Sequence, residues 1–160
     1  MAATPAIAVL ERARIPHTVH RYPHHGAGRS FGDDAVDAMV TALGVVPGQV
    51  FKTLVISGPD ILATAVIPVP AHLSMKATAR ALGVPRVAMA DPAVVTRATG
   101  YVLGGVSPLG QRNRLATVVD VSAQQWPTVL CSAGRRGMEI QLSPADLISL
   151  CAATTADLTV

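Results

Sequence analysis

Apolar positions along the chain follow two periods, and the boundaries between them carry recognisable caps and turns. Val36, Met39, Val40 and Leu43 repeat at helical spacing behind Ser30, which lies three residues before Asp33. That pattern predicts a capped helix through Leu43 that stops at Gly44. Thr4-Pro5 predicts an earlier helix, to about Arg14, with a capping hydroxyl and proline at the first helical position. Residues 17–22 read as a strand closed by Pro23, and His24 to Arg29 as a polar loop. Past the Pro47-Gly48 turn, Val50–Ser57 and Ile61–Val69 read as strands split by Gly58-Pro59-Asp60. Short helices are expected from Ser74 to Gly83 and from Asp91-Pro92 to near Gly100. Further strands are expected at Tyr101–Val106, Leu115–Val121, Thr128–Ser132 and Met138–Leu142. Ser143-Pro144, with Asp146 as the reciprocal cap, opens a last helix. Strands and helices intermix without a βαβ rhythm. The fold expected is therefore α+β: one domain over residues 1–160, with a mixed β-sheet or barrel surrounded by helices.

Composition narrows the class. Of 160 residues, 50% are hydrophobic and 14% charged, which excludes a disordered chain. The longest apolar candidate, Ile61 to Ala71, holds Pro68 and Pro70 and is too short to span a bilayer. No charged start followed by an apolar stretch marks a secretory leader, so the cytoplasm is the expected location and no membrane partner is expected. Cys131 and Cys151 read as buried structural thiols, with a bridge as the alternative, and no CxxC pair exists. The net charge is +3, with seven basic and five acidic side chains in residues 1–80 and six and five in residues 81–160. Such a balance permits a polyanionic partner without demanding one.

Candidate chemistry begins at Lys52. Strand alternation sets it on one face with Val50, Leu54 and Ile56, so it either snorkels from a strand end or is held in a site. The chain uses eleven arginines and two lysines, and lysine offers a compact, tunable charge. Gly104-Gly105 lies inside a strand-like run and marks a bulge or a backbone that a ligand approaches, with Ser107-Pro108 as the turn beyond. Ser132, ahead of a glycine turn, bonds either a substrate or the local backbone. Arg112, Arg114, Arg135 and Arg136 bind phosphate or form solvated turns. His17 and His20 point to opposite faces of a strand and His24-His25 lack convergent ligands, so no metal or other cofactor is expected. No GxSxG and no Cys-His or Ser-His-Asp arrangement occurs, so an enzyme built from this chain lacks its own nucleophile.

Taken in order, Phe31-Gly-Asp33, Phe51-Lys-Thr-Leu54, Met89-Ala-Asp-Pro92, Thr99-Gly-Tyr101, Gly104-Gly-Val-Ser-Pro-Leu-Gly-Gln111 and Ser132-x-Gly-x-Arg-Gly137 resemble the YbaK-type aminoacyl-tRNA deacylases, over about residues 4–157. The resemblance implies the mixed sheet or barrel of the YbaK and prolyl-tRNA synthetase-associated domains. It also implies an enzyme that removes cysteine from tRNA(Pro), and from tRNA(Cys) as a further substrate, after mischarging by prolyl-tRNA synthetase. By the same analogy Lys52 is the essential side chain. Tyr22, Phe31, Thr53, the backbone at Gly104 and Gly105, Ser107, Pro108 and Ser132 would shape the pocket for the aminoacyl group and terminal adenosine. The family's chemistry needs no enzymatic nucleophile: the substrate thiol attacks its own ester and a cyclic thiolactone leaves the tRNA. Backbone N–H groups near Gly104 and Gly105 could then stabilise the oxyanion. A deacylase for alanyl-tRNA(Pro) and a non-catalytic module that holds aminoacyl-tRNA or a synthetase are the rival readings.

Overall fold

The computed structural model describes residues 3–23 and 30–160; the loop expected at His24 to Arg29 lies outside the described residues. Four side-chain caps act where the sequence places them. Thr4 accepts from the Ile7 amide at the start of α1 (Pro5–Arg12), and Ser30 from Asp33 at α2 (Phe31–Leu43). Ser74 accepts from Ala77 at α3 (Met75–Leu82), and Ser143 from Asp146 at α5 (Pro144–Leu150). Each satisfies an amide that the first helical turn leaves without a partner. The fourth helix, α4 (Pro92–Thr99), starts on proline and ends at Gly100.

The strands form two sheets. In the smaller, β1 (Thr18–Arg21), β7 (Met138–Leu142) and β6 (Val129–Ser132) run antiparallel in the order β1-β7-β6. In the larger, the order is β4 (Ala88–Met89), β2 (Phe51–Gly58), β3 (Ile61–Pro68), β5 (Ala116–Asp120) and β8 (Thr154–Ala156). β2 and β3 form the hairpin that Pro59-Asp60 predicts, while β5 and β8 add in parallel. A parallel bridge from Val50 to Leu130 brings the two sheets together without closing a barrel.

Each face of the larger sheet is covered. α1 and α5 bring Ala6, Leu10 and Leu147 onto Phe51, Val66 and the inward residues of β6 and β7. On the opposite face Ile56, Ala65, Ile67 and Val118 lie beneath Ala81 and Leu82 of α3. Met39 and Ala35 of α2 pack on Val50 and Leu130, at the junction of the sheets.

One expected strand is absent. Residues 101–106 form turns rather than a ladder, with Gly104 at φ +86°. Their apolar pattern reflects burial of Tyr101 and Val106 with Val55 and Val95. Two strands had no clear signal: β4, which is two residues long, and β8, whose first two residues are exposed. Among the described residues, no helix is long and apolar enough to cross a membrane.

Candidate active site

The bridge between the sheets sets the register of the site. Two residues beyond Val50 stands Lys52, and two beyond Leu130 stands Ser132. Ser132 in turn faces Glu139 across the β6–β7 ladder, and Tyr22 follows Arg21, which pairs with Met138. Lys52, Ser132, Glu139 and Tyr22 therefore gather at one end of the junction and line a cavity of 390 Å³, a size suited to small-molecule and cofactor sites.

The cavity exists because β4 is so short. It pairs only with Ile56 and Ser57, so among the described residues the outer edge of β2 from Phe51 to Leu54 has no ladder partner there. The site opens on that edge, and it is lined by Lys52 and Leu54 from one face of β2 and by Phe51 and Thr53 from the other. Face-based alternation could account for Lys52 but not for Thr53 beside it. The opposing wall is Phe31 with Leu103, Gly104 and Val106. A Cβ on Gly104 would collide with the Phe31 ring, and the positive φ already favours glycine at this position. Arg136 locks this wall: its guanidinium sits 4.5 Å from the Phe31 ring centroid, and its Nε donates to the Leu103 carbonyl at 2.9 Å.

Electrostatically the cavity is unusual for the polar groups it leaves without bonds. Burial lowers the Lys52 pKa below the usual lysine value, partly offset by Asp33 at the start of α2. The Glu139 side chain is 5% exposed and makes no hydrogen bond or ion pair among the described residues. Burial pushes its carboxyl up to about 8. Burial also raises the Tyr22 phenol, reinforced by the nearby Glu139 and Asp34 carboxyls. Thr53 Oγ1 is buried without a partner. Buried polar groups are normally bonded, so these are positioned for something that enters the cavity.

The structure divides the expected site residues. Lys52, Tyr22, Phe31, Thr53, Gly104 and Ser132 line the cavity together. Ser132 Oγ also accepts from the Gly134 amide at 3.1 Å, so it braces the turn as well. Gly105, Ser107 and Pro108 stand apart. The Gly105 amide donates to the Val102 carbonyl at 2.9 Å, which commits it to a turn rather than to an oxyanion. Ser107 is fully buried and accepts from the Leu109 amide. Pro108 lines a separate 180 Å³ cavity with Arg114 and Cys151. Of the four arginines, Arg136 belongs to the wall and Arg112 reaches the Arg97 carbonyl at 3.4 Å, while Arg135, beside Arg136 in the same turn, and Arg114 are exposed.

Glu139 had no sequence signal. Alternation in Met138-Glu-Ile-Gln-Leu142 assigns it to the face away from the core, as an ordinary solvated carboxylate. That face is covered because α2 and β2 lie across it. Cys131 and Cys151 are free and buried, and neither lines the Lys52 cavity. Burial holds the Cys131 thiol well above its ordinary pKa and pushes Cys151 up to about 12.

Comparison with known proteins gives these features a setting. The family model of the aminoacyl-tRNA editing domain matches residues 33–150. EbsC of Enterococcus faecalis, provisionally named as a Cys-tRNA(Pro)/Cys-tRNA(Cys) deacylase, is 32% identical over 162 residues, covering 98% of this chain and 93% of that protein. YwhH of Bacillus subtilis, an uncharacterised protein, is 28% identical over 113 residues, 70% of this chain and 71% of its own length. A crystal structure described provisionally as a trans-editing enzyme for prolyl-tRNA synthetase superposes with a TM-score of 0.83 at 25% identity, covering 100% of this chain and 99% of that one.

Proposed function

This chain belongs to the aminoacyl-tRNA editing domain family, and from that membership we propose that it removes cysteine from mischarged tRNA(Pro) by letting the substrate thiol cleave its own ester. The observation that carries the reading is a cavity with a lysine, a carboxyl and three hydroxyls but, among the described residues, no activated nucleophile of its own. Among the described residues its lining includes no cysteine and no histidine, and the chain's two thiols are buried elsewhere. A reactant that brings its own sulfur needs only to be held and charged correctly.

The steps balance without an outside reagent. The cysteinyl thiol loses its proton, its sulfur forms a bond to the ester carbonyl carbon, and the bond from that carbon to the ribose oxygen breaks. The proton ends on the ribose hydroxyl, and cysteine leaves as a four-membered thiolactone. Tethering the thiol to its own carbonyl removes most of the entropy of bringing reactants together. The Lys52 ammonium favours the thiolate, whose unperturbed pKa is about 8.5, and stabilises the negative charge that builds on the carbonyl oxygen. A substrate ammonium fits the carboxyl of Glu139. Selection of tRNA(Pro) falls to prolyl-tRNA synthetase in this reading, since one small cavity reads the aminoacyl end and not the body of a tRNA.

The test is turnover of Cys-tRNA(Pro), S-methylcysteinyl-tRNA(Pro), Ser-tRNA(Pro) and Ala-tRNA(Pro) by the Cys131→Ser/Cys151→Ser protein. Cysteine should be released fastest by two orders of magnitude or more, the order of effect that loss of a positioned reacting group produces. Equal cleavage of the methylated ester would make water the nucleophile and overturn the mechanism. Preference for alanine would move the chain to the alanyl-specific reading.

A further inference from the structure

The stretch from Ile61 to Ala90 contains no aspartate or glutamate, yet it carries Lys76, Arg80 and Arg86. Those three charges equal the formal net charge of the whole chain, +3. Lys76 and Arg80 lie one turn apart on α3, and Arg86 lies on the connection to β4. All three are exposed and border a single open groove of 420 Å³, floored by Met75, Ala79 and Val87. None makes an ion pair or side-chain hydrogen bond among the described residues, whereas Arg112 and Arg136 are bonded to backbone carbonyls. Exposed cations normally face mixed charge; here three cations border one concave surface whose described lining holds no carboxylate.

We propose that this groove docks the phosphodiester backbone of the tRNA whose terminal ester enters the Lys52 cavity. The inference rests on the function proposed above and adds where the rest of the substrate lies. The two sites share a face and a strand. α3 packs on the face of the larger sheet that also carries Lys52, and Leu54, which lines the cavity, packs against the cluster that α3 covers. From Arg86 the chain runs into β4, which pairs with β2 at Ile56 and Ser57. Lys52 is four residues from Ile56, about 13 Å along the strand. A chain anchored by its terminal adenosine at Lys52 can therefore lay its backbone along α3.

Affinity for uncharged tRNA(Pro), measured by fluorescence anisotropy between 50 and 200 mM KCl, tests this without needing catalysis. Replacing all three side chains (Lys76→Gln, Arg80→Gln, Arg86→Gln) should weaken binding roughly tenfold or more and flatten the log–log salt slope by about 2 to 3, close to one unit for each phosphate no longer neutralised. Cysteinyl-adenosine, too short to reach the groove, should be cleaved by the variant as by the wild type. The charge-keeping set Lys76→Arg, Arg80→Lys and Arg86→Lys should retain the slope. An unchanged slope in the glutamine variant overturns the docking site, as does a slope lost equally in the charge-keeping set. If wild-type protein leaves cysteinyl-adenosine and Cys-tRNA(Pro) intact while the slope still falls in the glutamine variant, the docking surface stands and the proposed reaction fails.

Discussion

Two clusters of buried polar groups lie within one small fold, and they are treated in opposite ways. Around the turn from Thr99 to Gln111 every such group has a partner. The Tyr101 hydroxyl donates to the Leu109 carbonyl at 2.6 Å, Ser107 Oγ accepts from the Leu109 amide at 3.2 Å, and Gln111 donates to the Ser107 carbonyl at 3.0 Å. At the junction of the sheets, among the described residues, Thr53 Oγ1 is buried without a partner and the Glu139 side chain makes no hydrogen bond or ion pair, with Lys52 drawn below its usual pKa. The first cluster stabilises the fold; the second is maintained at a cost to it. Bond satisfaction, more than burial or polarity, separates a structural polar residue from one that waits for a ligand.

Removing Lys52 should give the largest effect on activity. Lys52→Ala is expected to lower kcat/KM for Cys-tRNA(Pro) by at least ~10²-fold, the scale of losing one preorganised electrostatic group. Its melting temperature should hold or rise, because a partly buried cation without an ion pair contributes little to folding. Lys52→Arg should also be poor, since a planar guanidinium is larger and spreads its charge. Near-wild-type turnover in folded Lys52→Ala would place the chemistry elsewhere and erase the contrast between the clusters.

Tyr101→Phe probes the satisfied cluster, and there the loss should fall on stability. Without the phenol the Leu109 carbonyl is left buried and unbonded, which costs about 1–3 kcal/mol. Urea unfolding reads that cost, while turnover per folded molecule should remain. A variant as stable as wild type but inactive would assign Tyr101 to the reaction.

Sequence made the satisfied parts far more legible than the site. Thr4, Ser30, Ser74 and Ser143 were readable as caps because capping is local chemistry, complete within four residues. The β2–β3 hairpin was readable for the same reason. Lys52 was conspicuous as a charge in an apolar strand. Gly105, Ser107 and Pro108 were grouped with the site by the family resemblance, in one motif with Gly104. The chain turns at positive φ on Gly104 and carries Ser107 into the core, so neighbours in sequence part in space. Glu139 was invisible: its environment is made by β2 and α2, distant in the chain, and no local pattern encodes them.

The finest test of the contrast is the pH dependence of stability at Glu139. An unfolded carboxyl ionises near 4.5, whereas in the folded protein burial moves it to about 8. Between those values the native state keeps a proton that the unfolded state has released. Unfolding then releases a proton, so stability is greatest below the unfolded pKa and falls as pH rises toward the folded one. Glu139→Gln removes the titration while keeping the shape and a polar head. The variant should match wild type near pH 4, gain on it steadily, and be the more stable protein at pH 8. Urea midpoints at several pH values between 4 and 8 measure that divergence. Stability gained in this way should come with weaker catalysis, because the carboxyl removed lines the cavity that takes the substrate. Parallel pH profiles for the two proteins would mean that Glu139 is bonded in solution and belongs with Tyr101 and Ser107 instead.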